Sequence, residues 1–149
     1  MSNDRFAIVR ATFYEDLAQR LTQGAFKGFA ESGIEEAGID VFDVPGAFEL
    51  PLAAKGCADS GRYAGIACLG AVIRGETDHY DWVCSAAAHG IEMVQVQTGV
   101  PCAFGVLTVE NMDQALARSG GDKRDQGYNA AKVVAHMSRL LDDLGTPEP

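Results

Sequence analysis

The sequence predicts an α/β protein, a three-layer sandwich in which a four-stranded parallel sheet is covered by helices on both faces. Three observations carry this. Short β-branched runs alternate with longer segments of helical periodicity along the whole chain, and strands alternating with helices join as parallel strands through right-handed crossovers. The run from Ile66 to Ile73, IACLGAVI, is apolar at nearly every position, as suits a central strand buried on both faces. A length of 149 residues, 47% hydrophobic and 22% charged, fits one domain spanning residues 1–149. Such a chain can bury roughly 70% of its unfolded surface, enough for a core that needs no disulfide or metal.

The elements follow in order. Arg5 to Ala11, RFAIVRA, is the first strand. From Glu15 onward Leu17, Leu21, Ala25 and Phe29 recur every four residues, which predicts an amphipathic helix ending near Gly33. Ile39 to Val44 is a second strand, stopped by Pro45-Gly46, and Phe48 to Ala58 is a second helix that tolerates Pro51 in its first turn. Ile66 to Ile73 is the third strand. Asp78 to Thr98 reads as a long helix on which Trp82, Val83, Ala86, Ala87, Gly90 and Val94 form a wide face rich in small residues. Such a face permits close packing against the sheet or against another subunit. Pro101 to Thr108 is a fourth strand, Met112 to Arg118 a short helix, Gly120-Gly121 a break and Tyr128 to Leu144 a final helix with a solvated acidic end at Asp142-Asp143. Residues 1–4 and 145–149 are expected to fray. A sheet this narrow has edges that need covering, which points to an oligomer.

Composition excludes several functions. Twelve Lys+Arg against twenty-one Asp+Glu give a net charge of −9, the wrong sign for non-specific binding to nucleic acid or anionic membranes. No apolar stretch is long enough for a transmembrane helix and no basic segment follows Met1, so a cytoplasmic location is the default expectation. Cys57, Cys68, Cys84 and Cys102 are spaced by eleven, sixteen and eighteen residues, and none of His79, His89 and His136 lies three or four residues from another. That spacing offers no metal site and leaves the cysteines as reduced, small hydrophobes.

Ligands of open α/β sheets sit outside the carboxyl ends of the strands, so the segments after each strand are the ones to search. These are Ala11 to Tyr14, Pro45 to Glu49, Arg74 to His79, and Thr108 to Asn111. In the third, Gly75-Glu76-Thr77 precedes a helix whose unpaired N–H groups and dipole attract anions, with His79 in its first turn. Two readings remain open there: Thr77 or Asp78 as a simple helix cap with His79 solvated, or His79 as a catalytic histidine. Phe13 either stacks on a planar ring or belongs to the core. Glu49 either accepts hydrogen bonds from a polyol or amine, or favours the helix start. Arg118 reads first as a cation suited to a helix C-terminus, with a phosphate clamp as the alternative.

Four segments together resemble the 6,7-dimethyl-8-ribityllumazine synthase family of riboflavin biosynthesis, from Phe6 to about Leu141. They are VPGAFELP (Val44–Pro51), GAVIRGETDHYDWV (Gly70–Val83), FGVLTVENMDQA (Phe104–Ala115) and RSGGDKRDQGYNAA (Arg118–Ala131), in the right order and at the right spacing. The resemblance implies a flavodoxin-like fold and a cofactor-free condensation of 5-amino-6-(D-ribitylamino)uracil with 3,4-dihydroxy-2-butanone 4-phosphate, releasing phosphate and water. It assigns ring stacking to Phe13 and the ring and ribityl pocket to Ala47, Phe48, Glu49, Ala71, Val72 and Ile73. It assigns phosphate binding to the backbone of Glu76 and Thr77, and proton transfer to His79. Phe104 and Arg118 are then lent by a neighbouring subunit, in a homopentamer or a multiple of it. A histidine suits the role because it both gives and takes protons near neutral pH.

Departures from the family pattern limit the transfer. Lys123 falls one position later than the usual lysine, and Arg124-Asp125-Gln126 replaces the usual Gly-Asn-Lys, so neither Lys123 nor Gln126 receives a role. The lost Gly-Asn pair favours a plain pentamer over a sixty-subunit shell. Two rivals share the fold. An archaeal-type riboflavin synthase would dismutate two lumazines, against which the phosphate residues Glu76, Thr77 and Arg118 speak; a catalytically silent scaffold would have no use for both Phe13 and His79.

Overall fold

The computed structural model of the protein describes residues 5–120 and 123–145. They form the four-stranded, all-parallel sheet that the sequence predicts, in the order β2-β1-β3-β4. β1 (Phe6–Ala11) and β3 (Gly65–Ile73) lie at the centre, with β2 (Ile39–Val44) and β4 (Cys102–Val109) at the edges. Ile8 of β1 stands between Val41 of β2 and Ala67 of β3, and Ala67 in turn faces Ala103 of β4. The helices are α1 (Glu15–Glu31), α2 (Leu50–Asp59), α3 (His79–Thr98), α4 (Met112–Ala117) and α5 (Gln126–Gly145).

The alternation of side chains along each strand divides the core in two. Ile8, Ala67, Leu69, Ala103 and Leu107 face α1 and α5, where Leu17, Leu21, Phe29 and Val134 close the layer. Ala7, Val9, Ile66, Cys68 and Val106 face α2 and α3, meeting Leu50, Ala54, Ala87, Ile91 and Val94. Each fully buried Leu, Ile or Phe contributes roughly 1.5–3 kcal/mol relative to exposure. On the first face α1 and α5 interlock backbone against backbone. A Cβ added to Gly127 would collide with the Leu21 carbonyl, and one added to Gly28 would sit 2.6 Å from the Tyr128 carbonyl oxygen. Gly90 plays the same part on the second face, where an added Cβ would be 2.6 Å from the Pro51 ring.

The outer strand β2 is protected by charge. Asp40 and Asp43 stand in register with Ala7 and Arg10 of β1; Arg5 pairs with Asp40, and Arg10 Nε lies 2.6 Å from Asp43 Oδ1. The buried Tyr63 hydroxyl donates to Asp40 Oδ2 at 2.7 Å. The hydrogen bonds from Arg5 and Tyr63 hold the Asp40 carboxyl below its ordinary range, while burial, and then Asp40, push the Tyr63 phenol up to about 12. A charged, paired edge of this kind discourages another strand from adding to it.

Several boundaries differ from expectation. A 3-10 turn at Glu36–Gly38 leads into β2, and the segment expected to open the second helix is a 3-10 turn at Ala47–Glu49, so α2 proper starts at Leu50. α5 begins two residues before Tyr128, because an isolated bridge between Ser119 and Asp125 and the bond from the Gln126 N–H to the Arg118 carbonyl return the chain to α4. Gly145, expected to fray, is the last residue of α5. Gly121 of the expected break and the remaining terminal residues lie outside the described residues. The expected packing face of α3 is divided in the protomer. Ala87 and Val94 are buried together with Ile91, whereas Trp82 is 71% exposed and Ala86 only half-buried.

Candidate active site at the carboxyl ends of the strands

From β1 the chain crosses outward to β2, whereas from β3 it crosses the other way to β4. The loops after β1 and β3 therefore diverge and leave a crevice between them, the usual ligand site of an open α/β sheet. A cavity of about 650 Å³ occupies it. Its floor is Ala71, Val72 and Ile73 at the end of β3; its walls are Phe13 and Tyr14 after β1, Gly46 to Glu49 after β2, and His79, Trp82 and Val83 of α3.

Each wall has a local cause. Thr12 donates both its N–H (2.9 Å) and its hydroxyl (3.2 Å) to the Val44 carbonyl, which ties the loop after β1 to the end of β2. Phe13 is thereby left 76% exposed, its ring edge-on to Tyr14 at 4.9 Å. That is a flat apolar surface facing a cavity rather than a core residue. The Gly46 N–H donates to Glu49 Oε1 at 2.9 Å, half of a capping box that fixes the turn. Ala47 is buried beneath it, whereas Phe48 is 62% exposed. Glu49 thus serves the helix start and lines the cavity as well, so its two readings are compatible.

His79 is the first residue of α3 and is solvent-exposed at the cavity. Asp78 holds the N-cap position without a side-chain bond; the Thr77 hydroxyl accepts the His79 N–H at 3.3 Å instead. Glu76 and Thr77 precede His79 by three and two residues in an exposed loop and do not line the cavity. The twenty-residue helix behind them directs its positive end toward that loop.

Phe104 and Arg118 lie apart from the cavity but together. Phe104 sits mid-strand opposite Cys68, three residues short of the Leu107 that faces Ala71. Gln126 joins it to Arg118, donating its side-chain N–H to the Phe104 carbonyl (3.3 Å) and its backbone N–H to the Arg118 carbonyl (2.9 Å). Arg118 itself is half-buried and donates to the Gln114 carbonyl at 3.2 Å, as a helix-end arginine does.

Sequence reasoning included Tyr14 and Gly46 in the segments to search but gave them no role, and it did not place Trp82 and Val83 in the cavity. For Trp82 the signal was available: it is three residues from His79, hence on the same helical face. None of the four cysteines lines the cavity. Burial pushes the Cys68 thiol well up and the Cys102 thiol up to about 12. Among the described residues no group of three or more metal-ligating side chains occurs, and no helix is long and apolar enough to cross a membrane.

An open parallel sheet with an aromatic-walled crevice at its switch point defines a flavodoxin-like α/β protein. The chain matches the family model for 6,7-dimethyl-8-ribityllumazine synthase over residues 3–142, and it belongs to that family. A relative from Arabidopsis thaliana, "6,7-dimethyl-8-ribityllumazine synthase, chloroplastic", is 44% identical over 138 residues. The match covers 93% of this chain and 61% of the length of that relative.

Proposed function

We propose that the protein is a transferase of riboflavin biosynthesis that condenses 5-amino-6-(D-ribitylamino)uracil with 3,4-dihydroxy-2-butanone 4-phosphate to 6,7-dimethyl-8-ribityllumazine. The observation that carries this reading is the convergence of Phe13, Ala47, Phe48, Glu49, Ala71, Val72, Ile73 and His79, eight residues from four chain segments, on one cavity. Phe13 stacks on the pyrimidine, while the turn at Ala47 to Glu49 and the end of β3 hold the ring and the ribityl chain. The substrate's own amine attacks the ketone, and loss of water gives a Schiff base. Proton removal then expels phosphate, and closure through the ribitylamino nitrogen loses a second water. His79 stands where these protons move, and two substrates held side by side need no protein nucleophile.

The phosphate binds the backbone of Glu76 and Thr77 at the start of α3. Arg118 of a neighbouring subunit completes that site, in a protein whose net charge of −9 otherwise opposes an anion, and Phe104 of the same neighbour covers the ring. This arrangement is supported by the way Gln126 holds Phe104 and Arg118 together, away from their own subunit's cavity. A homopentamer or a multiple of it, located in the cytoplasm, goes with this reading.

Mixing the two synthetic substrates and following lumazine absorbance tests the activity; no absorbance change with a folded protein rejects it. Light scattering tests the assembly. A monomer at micromolar concentration rejects both the oligomer and the shared site, and cell fractionation tests the location.

A further inference from the structure

We propose that Arg74 is a positioning residue of the site, whose side chain holds the first turn of α3, and with it His79 and the loop at Glu76-Thr77, against the end of β4. The proposal rests on the function proposed above. Residues 75–79 are exposed, and the hydrogen bonds of residues 75–78 stay within the loop and the first turn of α3. The segment assigned the most exacting chemistry therefore has little of its own to fix it.

Arg74, immediately before it, supplies what is missing. Its backbone N–H donates to the Val109 carbonyl at 2.9 Å, which anchors the start of the loop to β4. Its Nε lies 3.1 Å from Glu110 Oε1 and 2.9 Å from Oε2. The guanidinium carbon lies 4.3 Å from the centre of the Tyr80 ring, and an Nη lies 3.6 Å from Asp81 Oδ1. One planar cation thus grips the two residues that directly follow His79 and binds them to the residue that directly follows β4. Tyr80 is itself half-buried against the core between the sheet and α3, so the grip is transmitted to a rigid layer.

A fork with two faces performs this task, donating at its edge while stacking on a ring; a lysine ammonium can do one or the other. The two carboxylates also more than offset the guanidinium charge. An incoming phosphate would have to displace Glu110 to reach it, which separates Arg74 from the phosphate-binding groups and makes its action indirect.

The test combines kinetics, with each substrate varied separately, and hydrogen exchange on Arg74→Ala, Arg74→Lys and Glu110→Gln. Arg74→Ala is expected to lower kcat by about ten- to a hundredfold, the scale of a small misplacement of catalytic groups. It is expected to raise the KM for the butanone phosphate while leaving that for the ribitylaminouracil almost unchanged. Arg74→Lys should recover little, and Glu110→Gln, which keeps the arginine but loosens its anchor, should move both constants the same way by a smaller factor. A lower KM for the phosphate substrate in Glu110→Gln would mean that Arg74 is a direct phosphate ligand and overturns the proposal. So does a fall in melting temperature with unchanged kinetics. Hydrogen exchange reads the same geometry without turnover: the hydrogen-bonded amides at the start of α3, residues 81–84, should exchange about tenfold faster in Arg74→Ala, or in Glu110→Gln should the alanine variant not fold, while α5 is unaffected. Unchanged exchange overturns the proposal. A wild-type protein that makes no lumazine overturns the proposed function instead, and the exchange result still decides whether Arg74 holds the loop.

Discussion

The two faces of the sheet are built from the same kinds of residue and finished differently. On one, α1 and α5 lock together through Gly28 and Gly127 at backbone contact distance and seal Phe29 and Leu21 completely. Of the large apolar residues that α5 leaves exposed there, Leu140, Leu141 and Leu144 cluster in its last turns and Val133 stands apart in its first half. On the other face, α2 and α3 cover the sheet but leave Leu52 80%, Trp82 71%, Val96 69% and Phe48 62% exposed. These side chains adjoin the cavity or continue along the helices that border it. Both faces bury a core, but the closed one has the tighter helix–helix backbone contact, and the open one carries the proposed chemistry and the proposed contact with a neighbour.

Four substitutions can break or sharpen that comparison. The largest effect belongs to the closed face. Gly127→Val drives a branched side chain into the α1 backbone and should cost more than about 4 kcal/mol or prevent folding, read by denaturant unfolding. A well-folded Gly127→Val protein would show that the face is not closed in solution. Next is His79→Ala, expected to slow turnover about ten- to a thousandfold while leaving the melting temperature in place, because proximity of the two substrates survives the loss of acid–base help. Unchanged turnover removes His79 from the mechanism.

Arg118→Lys comes third. A bidentate guanidinium–phosphate contact in a site closed by a second subunit is worth roughly 1.5–3 kcal/mol, so the KM for the butanone phosphate should rise about ten- to a hundredfold. The KM for the ribitylaminouracil should change little; equal changes in both, or in neither, place Arg118 elsewhere. Leu52→Ser is the mildest. It should leave the stability of a protomer within about 0.5 kcal/mol and show itself only as a smaller assembly at low concentration in light scattering. A large loss of stability with unchanged assembly would move Leu52 from an interface to the protomer's own core.

The sheet was almost fully legible in the sequence, because a parallel strand buried on both faces leaves a run such as IACLGAVI that no exposed element would carry. The ends of elements were less so. The start of α5 at Gln126 depends on a bridge between Ser119 and Asp125, a tertiary contact that leaves no mark on periodicity. The outward turn of Trp82 was hidden for a related reason: α3 has small or apolar residues on most of its circumference, so hydrophobic pattern alone does not say which side faces the sheet. Of the site, Phe13 and His79 could be suspected from their places after strands. Phe104 could not, and for Arg118 the helix-end reading came first with a phosphate clamp as the alternative, since within one chain they serve a strand and a helix end and reach no cavity. The role of Phe104, and the neighbouring subunit as the source of both residues, came only through the resemblance, and the grip of Arg74 on Tyr80 and Asp81 came from neither source.

Trp82 is the chain's single tryptophan, and it combines 71% exposure with a place in the cavity wall. Its indole is therefore a native optical reporter of the open face, with no background from another tryptophan in the same chain. In an isolated protomer its emission should resemble that of an indole in water; when a ring enters the crevice or another subunit closes over it, the emission should shift to the blue. Dilution and titration would move the same signal in opposite directions, so one fluorophore can follow assembly and occupancy together.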